Sequence, residues 1–319
     1  MSNLVTRYPF NPILTAKDVP YPATLVFNAG VIKYKDLYYM LFRNDYQLSP
    51  LSRTLFGTSL GLAISSDGIK WEVKKDKVTI TNDQSIKRIY DPRLQVIEDS
   101  IYVCFAADTA HGIRGGIAKT IDFINFEVLS LSTPDNRNMV LFPEKIHGKY
   151  VRLERPFPVY SRGGRDRFDI WYSDSPDMKY WGNSQLVLGV EDVPFSNNKI
   201  GPAAPPIKTD KGWLTTFHGV YLNKLRRKNG WEHKWQKIYY AGIMLLDLND
   251  PSKVIGMSRK PLLSPEADYE KKGFRNDVIF PCGMILESDK TVKIYYGAAD
   301  TVVSLMTANL DDLIKLCVN

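Results

Sequence analysis

Cysteine is scarce in this chain. Its three, Cys104, Cys282 and Cys317 in 319 residues, are too few and too scattered for a disulfide frame or a zinc site. Cys104 and Cys282 stand among apolar neighbours and read as small core residues. No apolar run is long enough to span a bilayer, and the opening MSNLVTRYPFNPIL lacks the apolar stretch of a secretory signal. The expectation is a reducing, cytoplasmic location. A strong charge bias is missing too: 42 Lys+Arg against 35 Asp+Glu leave a net charge of +7. That modest excess favours an anionic partner. The clear basic cluster is confined to residues 222–238, LNKLRRKNGWEHKWQKI, and no nucleic-acid recognition motif accompanies it. Nor does any segment sustain a helical period.

What the chain does have is one unit written five times. Aromatic and β-branched residues alternate in short runs broken by Gly, Asp, Asn and Pro, the signature of strands and tight turns. The first copy is VFNAGVIKY-KD-LYYMLFRND followed by SLGLAISSDGIKWEV. The second is YDPRLQVIE-DS-IYVCFAAD with RGGIAKTIDFINFEV, and the third VLFPEKIH-GK-YVRLERPF with RFDIWYSDSPDMKYW. The fourth is GPAAPPIKT-DKG-WLTTFHGV with KIYYAGIMLLDLND, and the fifth VIFPCGMILE-SDK-TVKIYYGAAD with VVSLMTANLDDLIKL. Each copy encodes an antiparallel sheet of three or four strands, too small to bury both faces alone. Radial packing solves this, so the expected fold is all-β, a five-bladed β-propeller formed by one domain over residues 1–319. Residues 222–238 read as an insertion in the fourth unit, either a solvated loop, a rim over the funnel or an oligomer contact.

In a propeller the innermost strands converge on a channel. The second strands end in LFRND, FAADT, LERPF, TFHGV and YGAAD, which places Arg43, Asp108, Arg155, His218 and Asp300 at matching points. The strands before them add Asn28, Asp91 and Arg93, and Arg137 precedes the third unit. Alone, the YDPR stretch around Asp91 reads as a turn with a surface ion pair. Convergence of ionisable groups in an apolar channel points instead to a site. Carboxylates beside aromatics such as Tyr90, Phe280 and Tyr296 suit a sugar. Arginines with a histidine suit a phosphate, whose oxygens accept charge-assisted bonds.

The chain resembles glycoside hydrolase family 130, the β-mannoside phosphorylases. The likeness is carried in order by NPIL, VFNAG, YDPR, LFPEKIHGKY with RPFP, FHGV, LLDLNDPSKVI, YEKKGF, VIFPCG and YYGAADTVV. It implies a five-bladed propeller and inverting phosphorolysis to α-mannose 1-phosphate, with no metal or organic cofactor and inorganic phosphate as co-substrate. By this resemblance Asp91 is the general acid, passing its proton through the mannose 3-hydroxyl. Asn28, Arg43, Tyr90, Arg93, Phe280 and Asp300 would bind the sugar. Arg137, Arg155, His218 and Tyr240 (or Tyr239) would hold phosphate. Phosphorolysis needs one acid where inverting hydrolysis needs an acid and a base to activate water. Hydrolysis by water on the same fold is the alternative. The partners expected are a β-mannoside oligosaccharide and phosphate, and the family's larger assemblies make a homo-oligomer an option. Two departures stand out. Ala29 replaces a serine common in the family, and VYSRGGRDRFD follows RPFP where a histidine is usual, which changes the wall of the leaving-group subsite.

Overall fold

The computed structural model describes residues 4–47, 57–157, 162, 167–225 and 236–318. Strand β1 (Val5–Arg7) stands apart from the first blade, which comprises β2 (Leu25–Tyr34), β3 (Leu37–Tyr46), β4 (Gly57–Ser65) and β5 (Glu72–Val78). The second holds β6 (Ile86–Ile97), β7 (Ser100–Thr109), β8 (Gly112–Thr120) and β9 (Glu127–Leu131). The third holds β10 (Asn136–Leu141), β11 (Tyr150–Pro156), β12 (Ile170–Ser175) and β13 (Gly182–Leu188). The fourth contains β14 (Lys199–Pro202), β15 (Ile207–Lys208), β16 (Trp213–Leu222), β17 (Lys237–Leu246) and β18 (Val254–Met257). The fifth has β19 (Ile279–Leu286), β20 (Thr291–Ala298) and β21 (Val302–Asn309). These five antiparallel sheets form a five-bladed propeller.

Strand β1 completes the fifth blade: Val5 pairs with Ala308 and Arg7 with Met306 on β21. Chain segments from opposite ends thus close the ring. Arg7 Nε adds an ion pair at 2.8 Å to the fully buried Glu270. Apolar clusters fill the seams, such as Val26, Met40 and Phe42 of blade 1 against Tyr295 and Leu305 of blade 5. All three cysteines are buried and free.

Three details differ from the sequence reading. Although no segment sustains a helical period in sequence, LDDLIKLCV forms helix α1 (Leu310–Val318), burying Leu310, Leu313 and Cys317 at helical spacing. The opening strand of the fourth unit begins earlier, at Lys199, and is split, because Pro205 and Pro206 offer no N–H to the ladder. Most of the basic insertion, residues 226–235, lies outside the described residues, as do 158–161 and 163–166 after RPFP.

The end of the ring opposite the channel mouth carries a repeated turn. Asp67 accepts hydrogen bonds from the backbone N–H groups of Ile69 and Lys70, Asp122 from those of Ile124 and Asn125, and Asp177 from those of Lys179 and Tyr180. One residue of each turn is left-handed: Gly68 (φ 72°), Phe123 (φ 59°) and Met178 (φ 67°).

Candidate active site

The innermost strands of blades 1 to 3 each bulge beside the channel. Register shifts fall between Phe27 and Gly30, Tyr90 and Arg93, and Arg137 and Val140. The residue at each bulge has positive φ: Asn28 (49°), Asp91 (54°) and Asn138 (57°). Bulges re-aim side chains, and here all three face one cavity of about 1140 Å³ at the channel mouth. YDPR is therefore a bulge inside a strand rather than a turn. The partner of Asp91 is Arg43 of the neighbouring blade, at 3.2 Å.

On one side of the cavity sits a carboxylate network. Asn28 Nδ2 donates to Asp91 Oδ1 at 2.9 Å, and Arg43 grips Asp45 through two bonds of 2.9 and 2.6 Å. The Arg43 guanidinium is sandwiched between the Phe27 and Tyr90 rings, 4.7 and 4.9 Å from their centroids. The Tyr90 hydroxyl donates to Asp108 at 2.8 Å. Burial pushes the Asp91 carboxyl up, but Arg43, Arg93, the Asn28 hydrogen bond and Arg137 outweigh it and hold Asp91 below the usual carboxylate range. Asp300 goes the other way. Burial raises it, and Arg275 at 3.1 Å and Arg43 only partly offset this. Two carboxylates in one cavity are thus held at different proton affinities by their neighbours.

Across the cavity lies the cationic wall. Arg137 and Arg155 face each other as paired residues of β10 and β11. Arg155 Nη1 is 3.4 Å from His218 Nε2, and the His218 ring stacks on Tyr239 at 5.9 Å. Lys199, at the start of β14, completes the group. Among the described residues none of Arg137, Arg155 and Lys199 has a carboxylate within ion-pair distance. Buried Arg137 Nε, Arg155 Nε and Nη2, and His218 Nδ1 have no hydrogen-bond partner. Burial and then Arg137 push Arg155 down to about 9. Burial, Arg155 and Lys199 hold His218 well below its ordinary value, so it is neutral at neutral pH. Lys199 is likewise depressed by burial and by Arg155. Mutually repelling, unpaired donors in a buried cradle are complementary to a polyanion. Gly201 permits the packing: a Cβ there would meet His218 Cε1 at 2.5 Å and Arg155 Cδ at 3.0 Å.

Of the residues singled out from sequence, Asn28, Arg43, Tyr90, Asp91, Asp108, Arg137, Arg155, His218, Phe280 and Asp300 line this one cavity. Two do not. Arg93 passes beneath the floor, with Phe280 over its guanidinium at 5.1 Å, and donates to the carbonyls of Ala203 (2.6 Å) and Pro92 (3.0 Å). Tyr240 points to the other face of β17, against Phe195 at 6.1 Å, while Tyr239 faces the cavity. The matching of strand ends also needs correction. The register equivalents of Arg43 and Arg155 are Ala106 in blade 2 and Gly297 in blade 5, so Asp108 and Asp300 lie farther along the chain. Ala29 packs into the apolar seam between blades 1 and 5. Lys199, Arg275 and Asn138 line the cavity unannounced. The signal for Asn138 was its place in RNM, matching FNA and YDP.

Residues 4–319 match the profile of glycoside hydrolase family 130, described as beta-1,4-mannooligosaccharide phosphorylase. The chain belongs to this family. It is 35% identical over 327 residues to the beta-1,4-mannooligosaccharide phosphorylase of Ruminococcus albus, covering 98% of this chain and 90% of that protein. It is also 35% identical over 263 residues to a beta-1,2-mannobiose phosphorylase of Listeria innocua, covering 82% of this chain and 69% of that protein. The solved structure of beta-1,2-mannobiose phosphorylase from Listeria innocua, in complex with beta-1,2-mannobiose, superposes with a TM-score of 0.84 at 28% identity, covering 99% of each chain. Family 130 membership therefore joins a five-bladed fold to relatives named as phosphorylases.

Proposed function

We propose that this chain is a β-mannoside phosphorylase. It cleaves a β-1,4- or β-1,2-linked manno-oligosaccharide, or a mannosyl-glucose or mannosyl-N-acetylglucosamine, to α-mannose 1-phosphate and a shortened sugar. The single observation that carries the reading is the division of the cavity, with Asp91 on one wall and the carboxylate-free cradle of Arg137, Arg155, Lys199 and His218 on the other. Phosphate in the cradle attacks the anomeric carbon from the face opposite the leaving oxygen. The glycosidic bond breaks, its electron pair goes to the leaving oxygen, and that oxygen takes the proton of Asp91 through the sugar's 3-hydroxyl. The proton of the incoming hydrogen phosphate restores Asp91, so the cycle balances with no metal or organic cofactor. Positioning of an anion that is already a nucleophile supplies much of the rate.

Asp91 must carry a proton when the bond breaks, yet its cations favour the carboxylate. A phosphate dianion beside Arg137 cancels part of that field and raises the proton affinity of Asp91, so the nucleophile prepares the acid. Asn28, Arg43 and Asp300 hold the mannosyl hydroxyls, and Phe280 lies against a sugar face. Tyr239 takes the position first considered for Tyr240. A cytoplasmic location belongs to this reading, since a membrane retains a sugar phosphate. The test is product analysis from β-mannobiose with and without inorganic phosphate. Phosphate-dependent release of mannose 1-phosphate is expected. Release of free mannose at a rate indifferent to phosphate would mean hydrolysis and overturn the reading.

A further inference from the structure

Four seams between blades are filled by large apolar clusters, while the seam between blades 2 and 3 has a smaller one that includes Ile97, Cys104, Met139 and Met178. The outer part of this seam is a second cavity of about 380 Å³, within the size range of small-ligand sites, about 300–1,000 Å³. Alternation along β10 and β11 builds it. Arg137 and Arg155 point to the central cavity, so Asn136 and Glu154, one residue away, point to the opposite face. Glu154 Oε2 accepts from Asn136 Nδ2 and from Arg152 Nη2, each at 2.7 Å. This uses up the cation and leaves two buried polar atoms without partners, Asn136 Oδ1 and Ser130 Oγ. Asn136 is only 7% exposed. The rings of Trp171 and Trp181 complete the wall, and Arg152 lies 4.2 Å from the Trp181 centroid.

An unpartnered amide oxygen asks for a donor, and a serine hydroxyl takes either role. Leaving them unmet under burial is costly. An anion is a poor fit, because the buried cation Arg152 is already paired with Glu154 and the other cation of the lining, Lys179, is exposed to water. Indole faces beside hydroxyl-seeking groups match a neutral pyranose, which shows C–H groups on its face and hydroxyls at its edge. We infer that this seam is a second, non-catalytic binding site for a neutral saccharide, independent of the central cavity. It rests on residues that take no part in the proposed reaction, and its test does not read turnover.

The test is isothermal titration with β-1,4-mannobiose in phosphate-free buffer, comparing the native chain with two variants. Trp171→Ala removes a ring. Ser184→Trp, at an exposed position on the rim, fills the pocket from outside and spares the core. Each variant is expected to lose one saccharide site per chain, or to weaken it at least tenfold, with kcat and KM on mannobiose unchanged. If Trp171→Ala does not fold, Ser184→Trp decides. Stoichiometry and affinity equal to those of the native chain in the folded variants would overturn the inference. Absence of mannose 1-phosphate in the product assay would instead overturn the proposed reaction and leave this site standing.

Discussion

At one end of the ring, blades 1 to 3 turn through the left-handed residues Gly68, Phe123 and Met178. At the other they bulge through Asn28, Asp91 and Asn138, also left-handed. Both features repeat with the fold, yet they spend their polar groups differently. The turn aspartates Asp67, Asp122 and Asp177 are satisfied within three residues by the backbone N–H groups that follow them. The bulge side chains instead reach across blades, as Asn28 and Arg43 of blade 1 do to Asp91 of blade 2. Local satisfaction makes a staple. Satisfaction deferred to a neighbour or a ligand makes a site.

The sharpest way to break this contrast is Asp91→Asn, which keeps the shape and removes the proton. We expect mannoside phosphorolysis to fall by about 10²–10⁴ in kcat with mannobiose, the usual reach of a general acid. An unchanged rate would make Asp91 another staple. Next, Arg155→Met removes one charged donor from the cradle and is expected to raise the KM for phosphate by about 10–100-fold, the equivalent of a charge-assisted bond of about 1.5–3 kcal/mol. Equal loss of sugar affinity would blur the two walls. Third, Lys199 is held well below its ordinary value, so it loses its proton as pH rises while an anion needs it charged. Sulfate affinity should therefore weaken with rising pH, by up to about tenfold per unit above the depressed value. Lys199→Arg should flatten that slope in calorimetric titration. The smallest effect belongs to the turns. Asp67→Ala should lower the thermal midpoint by about 1–3 °C and leave kcat alone. The carboxyls of Asp67, Asp122 and Asp177 are held low in the fold. Their stabilisation is thus complete above the unfolded value, about 3.9, and is lost as pH falls through the depressed one. Acid unfolding of the Asp67→Ala variant should accordingly be less steep.

The blades were legible because half-buried strands must alternate, and five runs of aromatic and β-branched residues did so in one order. Residues of the cavity were legible where a strand end marks the channel, as for Arg43, Arg155 and His218. Parity defeated the rest. A bulge between Tyr90 and Arg93 reverses which face a residue takes, and no composition signal announces it, so Arg93 was assigned to the cavity when it lies beneath. The choice between Tyr239 and Tyr240 needed the pairing of β17 with β16, where Tyr239 stands opposite Val220. Lys199 was hidden because Pro205 and Pro206 interrupt the strand and drew the start of the fourth unit too late. Helix α1 is too short to establish a period.

Closure by β1 has a consequence for how the chain is made. Val5 is synthesised long before its partner Ala308, so this closure waits until the fifth blade has been translated. The walls that face each other across the channel are supplied by different blades, and their spacing is set only when that clasp shuts. A bulky fusion ahead of Val5 would strain the latch first, and lost catalysis would then report an unfastened circle rather than a damaged reaction centre.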